Sequence, residues 1–248
     1  MNDPDLTPAV AMPTEQALAL LGAGELHIEG RLVDASNATL YCRVELDAVA
    51  AACVYKPVSG ERPLWDFPDG TLAEREVAAY ELSAASGWDV VPPTLYRDGP
   101  AGPGMVQLWV DTDDDVDIVA LLRGRGCERL RDIAVFDAVI NNADRKGGHL
   151  VPDRTGHLYG VDHGVSFHRE PKLRTVLWQW AGEPLADRHL DTLTELHARL
   201  RADLGERLSE LLTVKEVRQT ARRIERLLGS GRHPEPSGDW PAVPWPPM

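Results

Sequence analysis

Asp144 and Asp162 stand eighteen residues apart in the stretch NNADRKGGHLVPDRTGHLYGVDHG, with a basic, glycine-containing turn between them. One carboxylate at the end of a helical segment and another just past a short strand can converge on one site. Phosphoryl transfer uses such a pair: one aspartate orients the attacking hydroxyl, and the other holds Mg²⁺ or Mn²⁺ against the phosphates. Hard oxygen ligands suit those ions, and His149 can add a nitrogen ligand. Lys146 and Arg145 follow Asp144 and read as charge neutralisation at the transferred phosphate or as a solvated turn. A metal-dependent hydrolase is the rival chemistry, with His149, Asp162, His163 and His168 on the metal and Asp144 as base. No H-x-x-x-H or closed Cys/His set supports it, and it leaves Lys56 and Glu76 idle. Otherwise His163 and His168 order the Asp162 loop, and Trp178 and Trp180 are packing residues.

A second pair lies upstream. Lys56 ends the apolar run CVYK, where a lysine often only snorkels to solvent. In the helix that follows, Leu72, Glu76, Ala79, Tyr80, Ser83 and Ala84 share one face, with Glu74, Arg75 and Glu81 opposite. Glu76 is thus an acid on an apolar face and wants a partner. Lys56 is the nearest candidate, and a strand lysine paired to a helix glutamate is how kinase folds hold a lysine against nucleotide phosphates.

The elements that must position these residues can be read in order. TEQALALLGAG is a short helix closing at Gly22 or Gly24, and ELHIEGRLV, TLYCRVEL and AACVYKP are strands, the first two flanking the turn DASNA. A helix spans about Leu72 to Ser86, with Thr71 and Glu74 as its capping box and Gly87 as its stop. WDVVPPTLYRDG and GMVQLWV supply two more strands. ERLRDIAVFDAVINNA has helical apolar spacing. HLDTLTELHARLRADLGERLSELL reads as one helix, and VKEVRQTARRIERLLG as another, capped by Thr213 and Glu216 and ended by Gly229. The Pro-rich tail is expected to be extended or disordered. The reading divides the chain into a β-rich lobe over 1–107, a mostly helical lobe over 108–230, and a tail over 231–248.

Composition limits the partners. The chain has 248 residues and a net charge of −13, which argues against nucleic acid or an anionic membrane. Cys42, Cys53 and Cys127 form no motif, as suits a reducing compartment. No signal peptide and no run of about eighteen apolar residues is present. The expectation is a cytoplasmic protein without integral membrane association. A G-x-x-x-x-G-K-[ST] loop is absent from the sequence, which excludes a P-loop nucleotide site.

With those residues in place, the chain resembles the phosphatidylinositol 3-/4-kinase-like family. NADRKGGH followed by GVDHG is similar to its catalytic loop and metal motif, D-R-x-x-x-N and D-x-G. CVYKP with REVAAYELSAASGWDVVPPT is similar to its lysine strand and glutamate helix. The motifs keep the family order from about residue 25 to 180. Including KLRTVLWQWAGEPL, the pattern is similar to an actinobacterial branch of small members whose substrate is undetermined.

The resemblance implies an α+β, bilobal protein-kinase-like fold that binds ATP with Mg²⁺ or Mn²⁺. It implies that Lys56 contacts phosphates and Glu76 anchors it, that backbone groups of Leu108, Trp109 and Val110 face adenine, and that Asp144 is catalytic. Asp162 would be the principal metal ligand. His149 replaces the family's asparagine as second ligand and favours Mn²⁺. Ser36, Asn37 and Thr39 would serve in place of a glycine-rich phosphate loop. The expected activity is phosphoryl transfer to a hydroxyl acceptor: a protein, including this one, a small alcohol or a phosphoinositide. The missing asparagine motivates the alternative, a nucleotide-binding pseudokinase or regulatory module.

Overall fold

The computed structural model of the chain describes residues 12–32 and 37–248. α1 (Thr14–Ala23) precedes five strands: β1 (Glu25–Arg31), β2 (Leu40–Leu46), β3 (Val49–Pro57), β4 (Thr94–Gly99) and β5 (Gly102–Leu108), with α2 (Leu72–Ser86) between β3 and β4. The strands form one antiparallel sheet in the order β1-β2-β3-β5-β4, so β3 is central and Lys56 lies opposite Met105 of β5. Gly104 is required there, because a Cβ would collide with the Lys56 carbonyl. Cys42 faces Cys53 across β2 and β3, both free and buried.

The helical half holds α3 (Ile118–Arg123), α4 (Glu128–Ile140), α5 (Asp187–Arg199), α6 (Asp203–Leu211) and α7 (Val214–Ser230), with a small hairpin of β6 (Leu150–Pro152) and β7 (Leu158–Gly160). Leu20, Leu21, Val44, Tyr55 and Val106 build a core between α1 and the sheet. A larger core joins α4, α5, α6 and α7, and α2 contributes Ala78, Leu82 and their neighbours to it rather than to the sheet core. α2 is therefore the element that couples the two halves.

Several local expectations change. The segment read as one helix after His189 is two, broken at Leu200–Ala202 between α5 and α6. α7 runs through Gly229 and stops at Gly231, whose φ of 62° is left-handed. Thr71 makes no capping bond to α2; Glu61 does so instead, accepting the N–H groups of Leu72 (3.1 Å) and Ala73 (2.8 Å). Arg75, expected on the outer face, is buried because α2 is covered on both sides; it donates to the Ser166 carbonyl and pairs with Glu216 at 2.5 Å. Glu216 also completes the expected capping box with Thr213. Among the described residues no helix is long and apolar enough to cross a membrane.

Candidate active site

β3 delivers Lys56 to the seam between the halves, where its ammonium donates to Glu76 Oε1 at 2.6 Å and to Asp162 Oδ1 at 2.9 Å. Glu76 is 2% exposed, and its other oxygen accepts the His163 N–H at 2.8 Å. One glutamate thus fixes both the lysine and the loop carrying Asp162. Burial alone would pull the Lys56 pKa down, but Asp162 and Glu76 outweigh it and raise it. The Lys56 ammonium holds the Asp162 carboxyl well below the usual range, although burial opposes this. Burial pushes Glu76 up against the opposing pull of Lys56. Asp162 has a φ of 59°, a left-handed conformation that aspartate tolerates better than most residues.

Asp144 is held from the end of α4. Asn141 turns the chain with a φ of 55°, and Asn142 then bridges: its amide donates to Asp137 at 3.0 Å, and its oxygen accepts the Asp144 N–H at 3.0 Å. Lys146 pairs with Asp144 Oδ2 at 3.0 Å. Burial raises the Asp144 pKa, with Lys146 opposing. Arg145 has neither role proposed from sequence. It is fully buried, grips Asp137 through Nε and Nη2, and donates to the carbonyls of His149 and Val161. Gly160 makes room, since a Cβ there would lie 3.0 Å from Arg145 Nη2. Arg145 therefore clamps the Asp144 turn to the segment leading to Asp162 and lies too deep to reach a phosphate.

His149 Nε2 lies 3.5 Å from Asp162 Oδ2. Burial lowers its pKa to about 4, so its lone pair is free at neutral pH, as a metal ligand requires. Among the described residues no group of three or more His, Cys, Asp or Glu could hold a metal ion. Asp162 and His149 offer one carboxylate oxygen and one imidazole nitrogen, a donor pair that substrate phosphates and water could complete and that suits Mn²⁺ better than Mg²⁺. The four ligands of the rival hydrolase do not assemble. His163 is buried against Arg145, and His168 packs edge-on against Phe67.

Lys56, Glu76, Asp144 and Asp162 line one cavity of about 40 Å³, with Asn37, Ala38 and Glu61 over it. Asn37 is tied down by the Arg62 N–H at 2.8 Å, and Ala38 by the Gly60 carbonyl at 3.0 Å. Thr39 is buried and lies outside this lining; Ser36 falls outside the described residues. Of the three positions expected to face adenine, Leu108 and Trp109 already donate their N–H groups to Pro93 and Ala52.

Two features had not been read from the sequence. Arg174 is laid beside the Asp144 turn: its N–H donates to the Asn142 carbonyl at 2.9 Å, and its own carbonyl accepts the Arg145 N–H at 3.1 Å. Its Nε is buried without a partner. The tail, expected to be extended or disordered, is extended but docked. Ala242 accepts bonds from Thr175 N–H and Trp178 Nε1, and Pro247 accepts the Gly147 N–H at 2.8 Å. Trp240 stacks on Trp65 with the Lys172 ammonium 4.8 Å from each ring. Basic residues near an acidic pair could have flagged Arg174; nothing local in the tail encodes its docking.

No family model matches the chain. It is 47% identical over 262 residues to Protein Rv2133c of Mycobacterium tuberculosis, covering 92% of this chain and 94% of that protein. The chain belongs to the family of that protein. Among solved structures it is similar to the Helicobacter pylori proinflammatory kinase CtkA, with a TM-score of 0.52 and 12% identity over 85% of this chain and 93% of that one. At that identity the likeness shows the fold: α+β and bilobal kinase-like, with a β-sheet half and a helical half.

Proposed function

We propose that the protein is an ATP-dependent phosphotransferase of the phosphatidylinositol-kinase-like type, acting on a hydroxyl acceptor. The observation that carries this reading is the convergence of Lys56, Glu76, Asp144 and Asp162 on one cavity from four separate segments. Lys56, kept protonated by its two carboxylates, binds phosphate oxygens. Glu76 holds that lysine and the Asp162 loop in register. Asp162 and His149 would hold a divalent ion, which when bound neutralises phosphate charge. Asp144 accepts the proton of the acceptor hydroxyl as its oxygen bonds to the γ-phosphorus and ADP leaves; a raised pKa suits that task. Lys146 and Arg174 neutralise the charge transferred, in the role the sequence had offered to Arg145.

The cavity of about 40 Å³ is smaller than a nucleotide, and Asn37 and Ala38, held by Arg62 and Gly60, are part of its lining. His149 in place of the family's asparagine motivates one further reading, a nucleotide-binding regulatory module without turnover. Two measurements decide. ATP with Mn²⁺ should raise the melting temperature, and intact-mass spectrometry after incubation should show added phosphate on the protein or on a supplied acceptor. A melting shift without any phosphoryl transfer supports the regulatory module, and no shift with either ion rejects both readings.

A further inference from the structure

The net charge of −13 is unevenly spread. α7 carries Lys215, Arg218 and Arg222 on one exposed face, three and four residues apart. Its acids point elsewhere: Glu216 is buried against Arg75, and Glu225 meets His197 and Arg201. No described acid pairs with those three cations. Arg169, on the segment that continues from Asp162, joins them; among the described residues it pairs only with the adjacent, exposed Glu170 at 3.8 Å. These residues surround a shallow cavity that opens into a cleft of about 800 Å³, with which it shares Arg169, Glu170 and Lys215. Trp65, Phe67 and Val214 form apolar walls of that cleft, and Trp65 is 83% exposed and Val214 66%.

We propose that this face docks an acidic polypeptide segment with an apolar anchor, and, resting on the phosphotransfer reading, that the segment belongs to the acceptor. Unpaired cations on an otherwise acidic protein select an anionic partner and steer its approach. The adjoining cleft, which has Trp65, Phe67, Pro68 and Val214 in its otherwise polar lining, suits an apolar side chain of a polypeptide, whereas a free phosphate would leave those residues unused. A flat anionic membrane would meet the remaining negative surface as well as this face.

The test uses the full chain and a fluorescent Asp/Glu-rich peptide bearing one tryptophan and one serine. Anisotropy should show binding that weakens with salt, and the Lys215→Glu/Arg218→Glu/Arg222→Glu variant should bind about tenfold or more weakly. Melting temperature and binding of ATP with Mn²⁺ should match wild type, since these residues lie outside the Lys56 cavity. Equal affinity of the variant, or equal affinity for the Asn/Gln version of the peptide, overturns the proposal. So does charge-dependent binding of phosphatidylserine vesicles without peptide binding. Peptide that binds as expected but never gains phosphate leaves the docking face standing and counts against the phosphotransfer reading. Equal phosphorylation of the peptide by wild type and variant does the reverse.

Discussion

The segment from Asp162 to Lys172 lines two cavities in succession, and they differ in how charges find partners. Around the small one, Lys56 meets Glu76 and Asp162, Lys146 meets Asp144, and beneath them Arg145 meets Asp137. Around the large one and the shallow cavity beside it, Lys172 pairs with Asp66, but Lys215, Arg218 and Arg222 meet no described acid. A ligand of the first must compete with bonds the protein already makes to itself. A ligand of the second can meet Lys215, Arg218 and Arg222 without breaking an ion pair of theirs among the described residues. The first arrangement suits selective entry of a highly charged nucleotide; the second suits capture of a partner.

The largest effect should come from the buried end of the paired region. Arg145→Leu leaves the Asp137 carboxylate buried without its cation and should cost about 3–5 kcal/mol, read as a lower denaturant midpoint. Its neighbour Lys146, 23% exposed at the side chain, should cost under about 1 kcal/mol on replacement by alanine while phosphoryl transfer falls. Equal stability losses at the two positions would erase the distinction drawn here.

Acid should weaken the molecule next. Burial lowers the pKa of His149 and His233 to about 4, so the folded state keeps them neutral while the unfolded state protonates near the ordinary value. Stability is therefore fully present above about pH 6.5 and lost as pH falls towards 4, with about 2 kcal/mol gone from each by pH 5. Denaturant titrations at neutral pH and at pH 5 measure this; an unchanged free energy would contradict the burial argument.

Smaller effects sharpen the contrast at the catalytic turn and the tail. Arg174→Gln should lower turnover by about tenfold or more with little change in stability, because its guanidinium Nε bonds to nothing in the fold. Trp240→Ala removes one of the two stacked rings that Lys172 contacts and should cost about 1 kcal/mol. Amide exchange at Gly147 should then quicken as its Pro247 partner loosens. Protection at Gly147 equal to wild type would mean that the tail docks without Trp240.

Much of this was legible in the chain. The strands follow from short apolar runs between turn signals, α2 from its apolar face and its stop at Gly87, and α4 from apolar spacing, and Glu76 was marked by an acid on an apolar face. The Asp144–Asp162 pairing came from spacing and motif order. What failed depended on tertiary cover. Arg145 reads as a turn residue because nothing nearby in sequence shows that Asp137, one turn back in α4, waits to receive it. Arg75 looked exposed because the wheel of α2 cannot show that α2 is covered on both faces. Glu61 displaced Thr71 as a cap through a loop whose path the sequence leaves open. Docking of the tail depends on Thr175, Trp178 and Gly147, all remote in sequence.

The central claim is that Asp162 binds and Asp144 transfers. Asp162→Asn and Asp144→Asn should be compared for ATP affinity in the presence of Mn²⁺ and for phosphoryl turnover. The account predicts that Asp162→Asn loses metal-dependent ATP binding and turnover together, whereas Asp144→Asn keeps ATP affinity near wild type and loses turnover by about a hundredfold or more. Wild-type turnover in either variant would contradict it.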